Sequence, residues 1–365
     1  MSAAPSRPRV LLSGYYGFGN AGDEAVCAAI ARTLRSHGGD PDLTVLSGDP
    51  SATLRDHGIR AVRRKDLFRA LPNADALFQG GGSLLQDATS ARSVFYYLYV
   101  ILAARMIRRP VFLYAQGIGP LTLPTSRAAV RTVLNRVQAI TVRDTASRAL
   151  LESLAVSKPP VYVTADPVWA LEPAPRERAR LIWERQGLPT DGTAVGLALR
   201  AWPGLDVADI GAGIADGLKE RGLTPVLLPM QRPEDEVLAY QMSERAHART
   251  LCLHGAYHPA EMMAFTRQCS FVIGMRLHAL IFAAAVGTPV LGLPYDPKVT
   301  ALLDEIRALG MSMAGATAKG VLTAFDAAWA VRDSACQNVH REAQRLRDAA
   351  LSNARIARGF LADKA

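Results

Sequence analysis

The chain has 365 residues, 49% of them hydrophobic and 21% charged, the balance of a globular protein long enough for two domains. Cys27, Cys252, Cys269 and Cys336 lie far apart, which excludes a zinc-type spacing or a disulfide framework and fits a reducing compartment. The net charge of +9 is spread along the chain, with no aromatic-interleaved basic block, so small anions and acidic lipid are expected partners and nucleic acid is not.

In chain order, the first 14 residues lack the apolar core of a secretory signal. "RVLLSG" (9–14) predicts a buried strand, and "GYYGFGNAGDEA" (14–25) follows it into an amphipathic helix that runs to Arg35. Gly17, Gly19 and Gly22 make a literal G-x-G-x-x-G. In a dinucleotide site those glycines let a pyrophosphate sit on the helix N-terminus. Here Asp23 and Glu24 occupy the first helical turn, where they would repel it and could instead cap free amides. Three readings stay open: a tight capped turn, a dinucleotide site, or an acceptor loop. Tyr15, Tyr16 and Phe18 offer ring faces for a sugar, and Asn20, Asp23 and Glu24 offer groups for its hydroxyls.

Further strands are expected at 43–48, 74–81, 110–117, 139–144 and 161–166, with helices between them. "FQGGGSLLQD" (78–87) places Gly80, Gly81, Gly82 and Ser83 after a strand and before a helical run, for close packing or for amides converging on a ligand. "VFYYLYVILAA" (94–104) is too short to span a bilayer, which needs about 20 residues, and reads as a buried helix. The basic "RMIRR" after it makes membrane-surface contact the alternative. "TVRDTAS" (141–147) ends a strand with Arg143, either tied to Asp144 or aimed at a carboxylate or phosphate.

A Pro- and charge-rich stretch follows Asp166, and strands resume at 194–200, 224–230, 270–275 and 289–295. The expected organisation is an N-terminal domain over 1–170, a linker over 171–190, a C-terminal domain over 191–340 and a helical tail over 341–365. Near-continuous apolar strands alternating with helices predict α/β domains, each with a doubly wound, Rossmann-like parallel sheet, facing a central cleft. In "GMRLHALIFAAAVGTPVLGLPYDPKV" (274–299), Arg276 and His278 open a helix after a strand, and Lys298 follows the next strand. A lone histidine is usually structural, but one beside Arg276 and Lys298 suits a small, highly anionic substrate. No metal-ligand cluster is visible and no redox cofactor is needed.

Together "GYYGFGNAGDEA", "GGGSLLQD", "AQGIGP" (115–120), "TVRDTAS", "TADPVW" (164–169) and the 274–299 stretch resemble the polysaccharide pyruvyltransferases, most closely their CsaB type. The resemblance runs in order from about residue 9 to about residue 305. It implies a GT-B-like pair of domains, phosphoenolpyruvate (PEP) as co-substrate rather than cofactor, and a 4,6-linked pyruvate ketal on a hexosamine. In the CsaB branch the acceptor is an N-acetylmannosamine-containing, lipid-linked cell-wall precursor, and the ketal anchors surface-layer proteins. The family's "RLH" triplet matches Arg276-Leu277-His278. The resemblance implies Arg143, Arg276 and Leu277 as PEP ligands and His278 as the catalytic acid/base, and Lys298 joins the PEP set by its position. The implied location is cytoplasmic, at the inner membrane face, where net charge of +9 favours peripheral contact with anionic lipid. The alternative is a GT-B-like glycosyltransferase using a nucleotide-sugar donor.

Overall fold

The computed structural model describes residues 7–88 and 91–362, so the first six residues, residues 89–90 and the last three lie outside the described residues. The chain divides into two compact units. The first takes residues up to Gly19, Asp23–Leu171 and those from Leu346 on. The second takes Asn20–Gly22 and Glu172–Arg345.

The first unit holds β1 (Arg9–Tyr16), β2 (Asp42–Ser47), β3 (Arg60–Arg63), β4 (Ala76–Leu85), β5 (Val111–Ile118), β6 (Ala139–Val142) and β7 (Val161–Val163). They form one sheet in the order β3-β2-β1-β4-β5-β6-β7, with every pair parallel. β5 is buried at all eight positions, as a strand covered by helices on both faces must be. The chain winds outward from β1 to β3 and then returns to β4, so the topological switch falls between β1 and β4. Register shifts at Ser13/Tyr16, Gly82/Leu85 and Leu113/Gln116 disturb three adjacent strands at their carboxyl ends. Bulges of this kind re-aim side chains beside a site.

The second unit holds β8 (Ala194–Ala198), β9 (Thr224–Leu227), β10 (Leu251–Cys252), β11 (Phe271–Gly274), β12 (Val290–Gly292) and β13 (Leu309–Gly310). Their order is β10-β9-β8-β11-β12-β13, again all parallel, with the switch between β8 and β11. Both units are therefore doubly wound α/β layers, as expected.

Three features differ from expectation. The 171–190 stretch, read as a linker, carries the helix Arg176–Arg185 and buries Trp183, whose indole N–H donates to the Pro189 carbonyl at 2.8 Å. The end of the long helix Arg332–Ala362 returns to the first unit. There buried Asn353 accepts from Thr164 Oγ1 at 2.8 Å and donates to the Ala165 carbonyl at 3.2 Å, and Phe360 packs 5.3 Å from Phe112. The helix Ala91–Met106, read as buried, buries Val94, Tyr97, Leu98 and Ile101 but leaves Phe95, Tyr99 and Met106 exposed.

Candidate functional site

In the first unit, the β1 loop is organised from within. Gly17 and Gly19 have φ of 78° and 72°, a region that favours glycine. Their turn aims the loop amides at the side chain of Glu24. The Glu24 carboxylate accepts from Gly17 N–H at 2.7 Å and Phe18 N–H at 3.3 Å, and it meets His57 Nε2 at 3.0 Å. Glu24 thus braces the loop, the amide-capping reading that the sequence leaves open for it. The reading of Tyr16 as a sugar-facing ring is corrected. Its ring is 1% exposed and folds beneath Gly14 and Gly80, where an added Cβ would stand 2.6 Å and 2.7 Å from its hydroxyl. It offers no face to a sugar, and burial pushes its phenol well up.

The outward-facing rings are Tyr15 and Phe18, stacked at 4.4 Å. Arg64 lies over Phe18 at 4.7 Å and over Tyr96 at 4.6 Å, and it donates to the Gly14 carbonyl and the Tyr97 hydroxyl. No motif marks Arg64, because only the fold brings the β3 edge beside the β1 loop. Gly80, Gly81, Gly82 and Ser83 are not a loop before a helix. They lie inside β4, with φ of 32° at Gly81 and 77° at Gly82. The absent side chains admit neighbours: Val26 packs on Gly81, and the Asp23 carboxylate lies over Gly82.

Arg143 follows β6 and is buried. Its guanidinium meets Asp166 at 3.0 Å, donates to Ser83 Oγ at 2.8 Å and lies 3.6 Å from Asp144. Gly117 permits this, since a Cβ there would stand 2.8 Å from Arg143 Nε. Ser83 therefore serves Arg143, and a ligand anion reaching that arginine competes with Asp166. Asp166 lies 23 residues from Arg143 and on another strand end, so sequence spacing does not mark it as the partner.

In the second unit, Arg276 is the N-cap residue of the helix Leu277–Ala285, which has no side-chain cap. The amides of Met275 and Arg276 both donate to the Ala198 carbonyl, at 3.0 Å and 3.2 Å, which pins the end of β11 to the end of β8 at the switch. Arg276 is oriented from behind. Asp235 accepts from its Nε at 3.0 Å and also from its Nη2, and Gln231 Oε1 accepts from Nη1 at 3.2 Å. The same carboxylate accepts the Met230 and Gln231 amides at 3.0 Å each. Leu277 and His278 form the first turn of the helix.

Asn20–Gly22 belong to this unit. Asn20 forms a bridge with Gln231, Ala21 N–H donates to the Met230 carbonyl at 2.8 Å, and Gly22 packs on the His278 imidazole. Asn20 thereby joins the Gln231–Arg276 network. Lys298 stands beside its helix-capping Asp296, with Nζ 3.4 Å from the carboxylate.

One further cation was missed. Arg200, just past β8, donates to the Tyr295 hydroxyl at 3.1 Å and stacks on Tyr295 and Trp202 at 5.1 Å and 5.7 Å. Those two rings wall a cavity of about 980 Å³ at the carboxyl ends of β8, β12 and β13, which Asp296, Thr300, Asp304 and Ser312 also line. Arg200 sits in no recognisable motif, and a charge closing an apolar strand run was the one available signal.

The sequence profile of the polysaccharide pyruvyl transferases matches residues 20–297. The chain belongs to this family. The polysaccharide pyruvyl transferase profile spans Asn20, Asp23, Arg143, Arg276 and His278, and ends one residue before Lys298. A curated relative, amylovoran biosynthesis protein AmsJ of Erwinia amylovora, is 20% identical over 82% of this chain and 86% of its own length. Among solved structures, Anabaena Alr3699/HepE in complex with UDP-glucose superposes with a TM-score of 0.65 at 11% identity, covering 97% of this chain and 99% of that one. The UDP-GlcNAc 2-epimerase of Neisseria meningitidis gives 0.66 at 14% identity, covering 94% and 97%. At such identities the likeness is one of fold, the GT-B-like pair of parallel sheets.

Proposed function

We propose that this family member transfers pyruvate from PEP to a hexosamine of a cell-envelope polysaccharide precursor as a 4,6-ketal, with release of phosphate, in the manner of the CsaB type. The supporting observation is the strand-end constellation at the β8/β11 switch: Arg276 held by Asp235 and Gln231 at the uncapped start of a helix whose first turn carries His278. Two fixed positive features, a guanidinium and a helix N-terminus, suit a substrate carrying both carboxylate and phosphate. Lys298 and Arg200 add cationic charge around the same strand ends.

In this reading His278 supplies the proton that the PEP methylene takes up. The enol carbon then becomes electrophilic, one sugar hydroxyl adds and its proton leaves with the phosphate, and the neighbouring hydroxyl closes the ketal as its proton restores His278. On the first unit Asp23 or Glu24, in the first turn of the helix after the β1 loop, is assigned to draw a proton from the acceptor. Phe18 and Tyr15 are assigned to the sugar's apolar face.

The test is phosphate release from PEP with and without an N-acetylmannosaminyl diphospholipid analogue. Acceptor-dependent release is expected, with a pyruvate ketal on the acceptor by mass spectrometry. Arg276→Ala should mainly raise KM for PEP, and His278→Ala should lower kcat by about 10²–10⁴. Tight binding of UDP with no turnover of PEP would replace this reading with the glycosyltransferase one, which the UDP-glucose complex of HepE keeps in view.

A further inference from the structure

The helix Ala91–Met106 has an unpartnered stripe. Phe95, Tyr99 and Met106 are 45%, 47% and 80% exposed, and they fall on one face with Arg92 and half-buried Leu102 at spacings of three and four residues. Phe68, 58% exposed on the neighbouring short helix Leu67–Ala70, packs edge-on to Tyr99 at 6.1 Å and widens the patch. Scattered exposed apolar residues are ordinary, but a contiguous row of two phenylalanines, a tyrosine and a methionine is not.

The charge of the two segments that carry the row is one-sided. Arg92 lies on the helix and Arg108 just past it, Arg63, Lys65 and Arg69 flank Phe68 in the chain, and all five are exposed, while residues 91–110 contain no acid and residues 60–71 contain only half-buried Asp66. No helix of the described residues is long and apolar enough to cross a membrane. Aromatic rings rimmed by arginines and lysines match the interface of an acidic bilayer, rings at headgroup depth and cations on lipid phosphates.

We propose that this face of the first unit docks on an anionic membrane surface. It continues toward the β1 loop: Tyr96 on the same helix stacks with Arg64, and Arg64 covers Phe18, which stacks on Tyr15. A bilayer held on the stripe would present a lipid-linked saccharide near those rings. That last step rests on the function proposed above, whereas the docking itself does not.

The test is co-flotation of the full chain with vesicles of phosphatidylcholine alone or mixed with phosphatidylglycerol. Binding is expected to the mixed vesicles only and should weaken with added salt. Phe95→Ser/Tyr99→Ser/Met106→Ser should reduce the bound fraction by at least about tenfold. The same variant should release phosphate from PEP at the wild-type rate with a water-soluble acceptor. Tyr99→Trp provides a reporter in a near-native chain, and its emission should shift to the blue on adding mixed vesicles. Three results overturn the proposal: no binding to mixed vesicles, equal binding by the triple variant, or an emission of the Tyr99→Trp variant unmoved by lipid. Concentration-dependent dimerisation that the triple variant abolishes, without lipid binding, would instead assign the stripe to a second copy of the chain. Loss of PEP turnover in the wild type would remove the proposed function and leave the lipid result standing.

Discussion

Replacing Asp235 by alanine should damage both the fold and the donor site, in separable amounts. The carboxylate is 4% exposed and accepts from the Met230 and Gln231 amides and from two nitrogens of Arg276. Removing one partner of a buried ion pair costs about 3–5 kcal/mol, chiefly because the other charge is left uncompensated. Each orphaned amide adds about 1–3 kcal/mol unless water enters the vacated space. A loss of at least about 3 kcal/mol is therefore expected in urea unfolding. Asp235→Asn keeps one acceptor oxygen and should lose about half as much. In the same variant Arg276 retains Gln231 as its partner, so KM for PEP should rise about tenfold or more while kcat changes less. A folded Asp235→Asn protein with unchanged stability and unchanged KM would refute the argument that this carboxylate positions Arg276.

Tyr16→Phe should leave stability unchanged or slightly raised and activity intact, because the hydroxyl is buried without a hydrogen-bond partner among the described residues; a large loss of turnover would mean that the phenol reaches substrate. Gly22→Ala would put a Cβ 2.1 Å from His278 Nδ1, so kcat should fall through displacement of the imidazole, with about 1–3 kcal/mol of destabilisation from overpacking. Asp87→Asn tests pH dependence by urea titration. Burial raises the Asp87 carboxyl, but hydrogen bonds from the Thr122 and Leu123 amides and the Thr122 hydroxyl outweigh it, so the folded pKa lies below the ordinary value. The stabilisation is then complete above the unfolded pKa of about 3.9 and is lost as pH falls through the folded value. The variant should be about 1–2 kcal/mol less stable at neutral pH, with the gap narrowing in acid.

What could be read in advance follows from the range of the forces involved. Central strands such as β5 and β11 declare themselves because a parallel strand buried on both faces is apolar throughout. The edge strands β3, β10 and β13 did not, since two- to four-residue segments such as "RAVR" carry too little pattern. Arg276 and His278 stood out because one short segment contains both. Their supports did not, because Asp235 lies 41 residues from Arg276 and Gln231 lies 45 away, and a helix and a loop must pack before they meet. Tyr16 was misread because the glycines around it suggested a loop, whereas the strand continues to Tyr16 and its alternation turns Tyr15 outward and Tyr16 inward.

The glycine loop carries a more general point about phosphate fingerprints. The pattern Gly17–Gly22 does what its glycines require: it turns tightly after β1 and lifts amides toward a helix start. In a dinucleotide site those amides meet a pyrophosphate brought by the ligand. Here Glu24 meets two of them, and His57 closes the other side of the carboxylate. The anion is built into the chain, so a phosphate arriving there would have to displace a carboxylate already bonded at 2.7 Å. In the second unit the helix after the corresponding switch starts at the N-cap Arg276 with no side-chain cap among the described residues. The two helix starts thus differ: in the first unit a carboxylate takes the loop amides, and in the second the nearby carboxylate, Asp235, takes the Arg276 guanidinium and the Met230 and Gln231 amides. This difference supports the proposed assignment of the anionic donor to the second unit and of the acceptor's sugar to the first.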